Sequence, residues 1–254
     1  NNAHFLRGNS SLWNLNGSGT VFIETGNFLE DTTLVRYSGA NANILATTYY
    51  DLRLDAAAGS STYTGTGSGI SILRDLTVGG TASTTANFTT SDPILTVTRD
   101  VLVNSGSTLI GSDSASFSIA GSYDNNGTFV GSGGTVTFTG TSSQTIAAGA
   151  SSFSSVTING TGSFTVNENA TATNAFTLTN HSNFTVSTST TLSVGGQFTN
   201  SLGGAATTWS GSTLSLYGSG SITINASTTN DVYGTLSVGT GRRVRMWNSS
   251  ASTY

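Results

Sequence analysis

Residues 135–146 read TVTFTGTSSQTI, a stretch without a single charge. Val136 and Phe138 fall on one side of an extended chain, and Thr135, Thr137 and Thr139 on the other. That is the period-two pattern of a strand with one buried face. Gly140 and a polar linker then turn the chain, and Ile146 opens a new apolar position. The same order returns without a gap at 213–224, TLSLYGSGSITI, and more loosely at 34–44, LVRYSGANANI. Each copy has the same sequel, a further short strand: FSSVTI at 153–158, VYGTLSV at 232–238 and YYDLRL at 49–54. Three ordered copies with one sequel indicate a duplicated unit.

A finer period lies inside it. Val156-Thr-Ile recurs as Phe176-Thr-Leu, and Phe164-Thr-Val recurs as Phe184-Thr-Val at the same interval. Ala172 and Leu192 keep that interval, whereas Leu52 to Ile70 is shorter and Leu95 to Phe117 longer. The β-branched and aromatic residues suit strands, and no segment has helical periodicity. Asn, Gly, Ser and Asp fill the gaps, as in Asp124-Asn-Asn-Gly127, and accept the backbone of tight corners. Three short strands per turn of about 20 residues predict an all-β fold, a right-handed parallel β-helix or β-solenoid. About twelve such turns would make a rod roughly 55–60 Å long. Like side chains would stack inward: Phe164 over Phe184, Val156 over Phe176, Ile158 over Leu178. Tandem β-sandwiches are the rival reading, but their strands need longer alternation. Residues 1–32 fit the cadence least and are expected to be an N-terminal cap or assembly segment, with the solenoid over 33–254.

Charged residues are 8% of the 254, against about 25% in ordinary domains. With 12 Phe, 8 Tyr and 3 Trp and a net charge of −4, the chain has the material for a core and lacks the profile of disorder. All eight basic residues are arginines, and none lies between Asp100 and Gly241, so no basic stripe exists for nucleic acid. The one basic cluster is Arg242, Arg243 and Arg245, a solvated strand end or a contact with a following segment. The absence of cysteine excludes disulfides and thiolate metal sites. No apolar run is long enough to span a bilayer. The only methionine is Met246, so a processed chain or a piece of a longer one is expected. The Lys-free, Ser/Thr-rich surface points to an extracellular, cell-surface location.

The segments SGGTVTFTGTSSQTI and FSSVTI, at 132–146 and 153–158, resemble the repeat of large bacterial cell-surface β-helix proteins. These include filamentous adhesins and autotransporter-like passenger segments. The resemblance implies a non-enzymatic structural or adhesive role in a surface fibre, and it transfers no catalytic residue. The irregular first hundred residues depart from the tidy repeat.

The search for chemistry is consistent with that expectation. From 101 to 241 the acids are Asp113, Asp124, Glu168 and Asp231. The Asn-Thr-Asp, Asp-Asp and Gly-His-Gly signatures of pectin-degrading β-helix hydrolases are absent, although a carbohydrate-active enzyme remains the competing class. Asp51, Asp55, Asp75 and Arg53 could share a face beside inward Leu52, Leu54 and Leu76; a solvated strand edge is the expectation. His4 and His181 stand apart from other ligand types and read as surface histidines. No cofactor or metal is expected. Ten N-x-[ST] sequons among 22 asparagines are what this composition supplies. Thr pairs such as Thr135/Thr137 and Thr177/Thr179 raise an ice- or glycan-binding module, but cross-strand Thr ladders also stabilise sheets without a ligand. The expected partners are other copies of the chain, adjacent repeats, glycans or cell surfaces. Trp13 and Phe22 at one end and Arg242, Arg243, Arg245 and Trp247 at the other are the candidate assembly contacts.

Overall fold

A strand of three or four residues buries two side chains and cannot make a core alone. Stacked on its equivalent one coil later, it satisfies its backbone groups and aligns its apolar side chains into a ladder. The structure, a computed structural model, describes residues 5–7, 11–23, 27–29, 31–149, 152–202, 206–226 and 233–248. Among these the paired strands run parallel, and the chain is an all-β, right-handed parallel β-helix with three faces per coil.

The coils fall into two units, Asn1–Ile119 with Asn125–Gly134, and Ala120–Asp124 with Thr135–Tyr254. In the first unit the first face runs Leu12–Leu15, Leu34–Tyr37, Asp51–Leu54, Leu76–Val78 and Val101–Val103. Its second face includes Ser60–Gly65, Ser83–Asn87 and Thr108–Ile110, and its third Gly69–Ile72, Ile94–Val97 and Phe117–Ile119. In the second unit the first face includes Gln144–Ala147, Ser163–Val166, Asn183–Val186 and Thr207–Thr208. The second face includes Ala170–Ala172, Thr191–Val194, Thr213–Leu216 and Thr235–Val238. The third carries Thr135–Phe138, Ser155–Asn159, Phe176–Asn180 and Phe198–Asn200.

The described residues make about ten coils where twelve were expected. The reason is coil length. Leu52 pairs with Leu76 and Leu76 with Val101, so each of these coils is longer than the cadence read from the later repeats. That cadence holds where Val136 pairs with Val156 and Val156 with Phe176. Two expected spacings are corrected. Leu52 and Ile70 lie on different faces, and Ala170, not Ala172, pairs with Leu192. The predicted stacks of Phe164 on Phe184 and Ile158 on Leu178 are present, as is the inward placement of Val136 and Phe138.

The repeated motif is a corner and not a coil. TVTFTGTSSQTI joins a third-face strand to a first-face strand. LVRYSGANANI joins first to second, and TLSLYGSGSITI leads from the second face into Gly220–Ala226. The same strand–turn–strand pattern is thus used at different phases of the winding.

The two interiors differ in chemistry. In the first unit Tyr37, Tyr49 and Tyr63 are fully buried, and their hydroxyls are matched. The Tyr37 and Tyr49 oxygens lie 3.0 Å apart, Tyr49 donates to Leu45 O at 2.9 Å, and Tyr63 donates to Gly39 O at 2.8 Å. Burial, with the charge of Asp55, pushes the Tyr63 phenol up to about 12. The second unit is built on phenylalanine. Phe164 and Phe184 lie parallel at 6.0 Å, and Phe184, Phe198, Trp209 and Tyr233 pack ring against ring.

Candidate interaction surfaces

Arg36, Arg53, Arg74 and Arg99 of the first unit gather with their acids at two corners. Arg36 and Arg53 are in register on adjacent strands and project outward together. Both reach Asp55, at 2.9 and 2.8 Å, and its side chain is fully buried. The same carboxylate accepts the Thr81 backbone N–H at 2.7 Å. At the other corner an Arg-Asp pair precedes two successive first-face strands. The Arg74 Nε donates to Asp51 at 2.8 Å, and the backbone N–H of Asp75 to the same oxygen at 3.1 Å. One coil on, Arg99 Nε donates to Asp75 at 2.7 Å and the Asp100 N–H follows at 3.2 Å. Arg74 also lies over the Tyr50 ring, 5.1 Å from its centroid. The expectation of a solvated edge is corrected: Asp55 and Asp51 are buried, because each takes charged donors and a backbone N–H from the next coil. The Arg74-Asp75 and Arg99-Asp100 dipeptides, each followed by a β-branched or apolar strand, were the available signal for this ladder.

Asp92 is spent in the same way. It sits in a left-handed turn at φ 48 and accepts the Ser114 hydroxyl together with the N–H groups of Asp113, Ser114 and Ala115. The Ser114 hydroxyl first, then these amides, hold its carboxyl down to about 2. Asp113 and Asp124 are exposed, Glu168 accepts the Gly149 N–H at 3.2 Å, and Asp231 lies outside the described residues. No three or more His, Asp or Glu side chains converge as metal ligands would among the described residues.

His181 is a second correction. It is 6% exposed, packs against Phe184 at 5.7 Å, and neither ring nitrogen has a hydrogen-bond partner. Burial pulls its pKa down to about 4. His4 lies outside the described residues.

The candidate assembly residues are placed at the terminal coils. Trp13 is half-buried on Leu12–Leu15 and meets the buried Phe22 edge to face at 6.3 Å. Arg242 turns back into its own molecule, donating to Ser219 O at 2.8 Å and to Gly196 O. Arg243 and Arg245 are exposed on the same strand, Arg242–Asn248. Trp247 pairs with Asn225 in that strand's ladder, and its side chain lies outside the described part.

The outer faces carry hydroxyl rows. Thr137, Thr157, Thr177 and Thr199 are in register on the third face of the second unit, and Thr145, Thr165, Thr185 and Thr208 on its first. The row beside the first of these begins with Thr135 and Ser155 and then loses its hydroxyls at Ala175 and Gln197. A flat two-row array is therefore not continued. In the first unit Gly69 interrupts the outer row opposite Ile94, which is 54% exposed. The gap is a shallow groove of about 410 Å³, edged by the Thr48, Ser71 and Thr96 hydroxyl row. Comparison with protein-family models, with curated proteins and with solved structures finds no match to this chain.

Proposed function

We propose that the chain is a structural segment of an extracellular surface protein, a β-solenoid stalk or adhesin of the bacterial fibre type, acting without catalysis. The observation that carries the reading is the way the molecule spends its charge. Its buried carboxylates, Asp51 and Asp55, are consumed by ion pairs and backbone N–H groups that join one coil to the next. What faces outward is a set of short hydroxyl rows, suited to hydrated contact with glycans or cell surfaces. Antibody against the chain, applied to intact cells that encode it, tests the location. Labelling of whole cells, lost after protease shaving, is the expected result, and labelling only after lysis would refute it. Incubation with acidic and neutral polysaccharides tests the absence of catalysis; release of new chain ends would replace this reading with an enzymatic one.

A further inference from the structure

We infer that the shallow groove at Gly69, on the third face of the first unit, is a binding site for a neutral saccharide chain. The inference rests on the reading above as a surface segment in contact with glycans, and gives that contact a place and a ligand class. The groove exists because one outward position lacks a side chain. Gly69 stands in register with the outward Ile94, and the next outward residue on its strand is Ser71. The two glycines before it are demanded by the fold: Gly67 has a φ of 77, and a Cβ on Gly65 would stand 2.5 Å from the Phe88 ring. Gly69 meets neither demand. Its φ lies outside the left-handed range, and the nearest atom to a Cβ there would be Ile94 O at 3.8 Å, an ordinary contact. A glycine in a paired strand costs stability, and its uses there are a bulge or the close approach of another group. The register of Gly69–Ile72 with Ile94–Val97 runs without a shift, so there is no bulge. What remains is close approach from outside.

The lining selects what approaches. It is made of Thr, Ser, Gly and Ile residues and carries no charge. Other hydroxyls of this unit are bound internally: Thr66 donates to Ile44 O and Ser112 to Pro93 O, each at 2.8 Å. The side-chain hydroxyls of Thr48, Ser71 and Thr96 make no hydrogen bond among the described residues. They stand in one row across adjacent coils, about 4.8 Å apart. Each can donate and accept, as sugar hydroxyls do. The exposed Ile94 offers an apolar contact to the C–H face of a sugar ring. A uronate chain would lose water from its carboxylates here with no cation in the lining to pair them. A peptide cannot add as a strand, since Gly69–Ile72 and Ile94–Val97 are each paired on both sides.

Titration of the full chain with a neutral glucan hexasaccharide and a neutral mannan hexasaccharide, followed by backbone amide shifts in NMR, tests this, with oligogalacturonate as the acidic probe. Saturable shifts centred on Gly69–Ile72 and Ile94–Val97 are expected with at least one neutral probe and not with the acidic one. Gly69→Val should weaken binding about tenfold or more while leaving the urea midpoint unchanged or higher. Ser71→Ala with Thr96→Ala removes two hydroxyls that the fold does not use, and should weaken binding by a similar factor. The absence of saturable shifts with both neutral probes would overturn the inference, as would shifts centred elsewhere or tighter binding of oligogalacturonate. So would wild-type binding by Gly69→Val, or a lowered midpoint, which would give the glycine a purely structural purpose. None of these results alters the surface-labelling experiment, so the two readings fail separately.

Discussion

The strongest single-residue commitment of the fold is Asp55, a fully buried carboxylate facing two arginines and the Thr81 N–H. Replacing it with alanine strands two cations and a backbone donor at a closed corner. The arginine heads are partly wet, so the expected cost is about 2–3 kcal/mol, below that of a wholly buried pair. It would be read as a lower urea midpoint with an unchanged slope; a change within error would mean that water solvates this corner after all. The sequence hid this pair for a physical reason. Arg36 and Arg53 are neighbours across a coil shorter than the cadence of the later ladders, and Arg74 and Arg99 across a longer one. Neither pair therefore falls on the interval that the later repeats reveal. His181 was hidden differently, since it lies at a corner where strand alternation no longer says which way a side chain points. Its folded pKa of about 4 lies below the ordinary value near 6.5, so the unfolded chain binds the proton more readily in between. Stability from this residue is full above about 6.5 and falls away as the pH drops to about 4, by an amount on the order of 3 kcal/mol. His181→Phe should flatten that window of the stability profile measured by denaturation at successive pH values. An unchanged slope between those limits would show that the imidazole reaches water.

At the scale of strands and corners, close approach decides which residues the turns accept. The recurring Gly140 and Gly160 lie one coil apart, and a Cβ on Gly160 would stand 2.1 Å from the Gly140 carbonyl oxygen. The glycine is needed for this contact between coils, since its φ is not in the left-handed range. Gly160→Ala must therefore push two corners apart, at about 1–3 kcal/mol. The expected signature is faster amide exchange at Thr161 and Gly162, both of which donate to Gly140 O across the corner. Exchange unaltered there would mean that the corner yields without cost. This element was partly legible. TVTFTGTSSQTI and its two relatives correctly marked strand, turn and strand, and the inward Val136 and Phe138 follow from alternation alone. What alternation leaves open is phase, because a corner of this kind serves any pair of adjacent faces equally well. The three copies look like one duplicated unit in sequence but occupy different positions in the winding.

For the molecule as a whole, the architecture was readable because stacking imposes a period on the inside, whereas the outside is under no such constraint. Thr, Ser and Asn exchange freely along the outer rows without disturbing the ladder, so these rows carry little record of a partner. The inner ladder has an energetic consequence of its own. Each coil touches mainly the coil before and after it, so stability should behave as a sum of nearest-neighbour terms. Phe184 offers the test within the second unit. It is fully buried, with Phe164 at 6.0 Å, Phe176 at 5.9 Å and Trp209 at 5.6 Å from its ring. Phe184→Ala should cost about 3–5 kcal/mol where it acts, since stacked coils cannot close over the lost ring. In hydrogen exchange the loss should be greatest in Ser163–Val166 and Thr207–Thr208, the strands paired with Asn183–Val186. It should fade toward Gln144–Ala147, one coil further away. Equal loss of protection across all of these strands would instead mean that the unit opens as one cooperative block, and that its coils are coupled beyond their immediate neighbours.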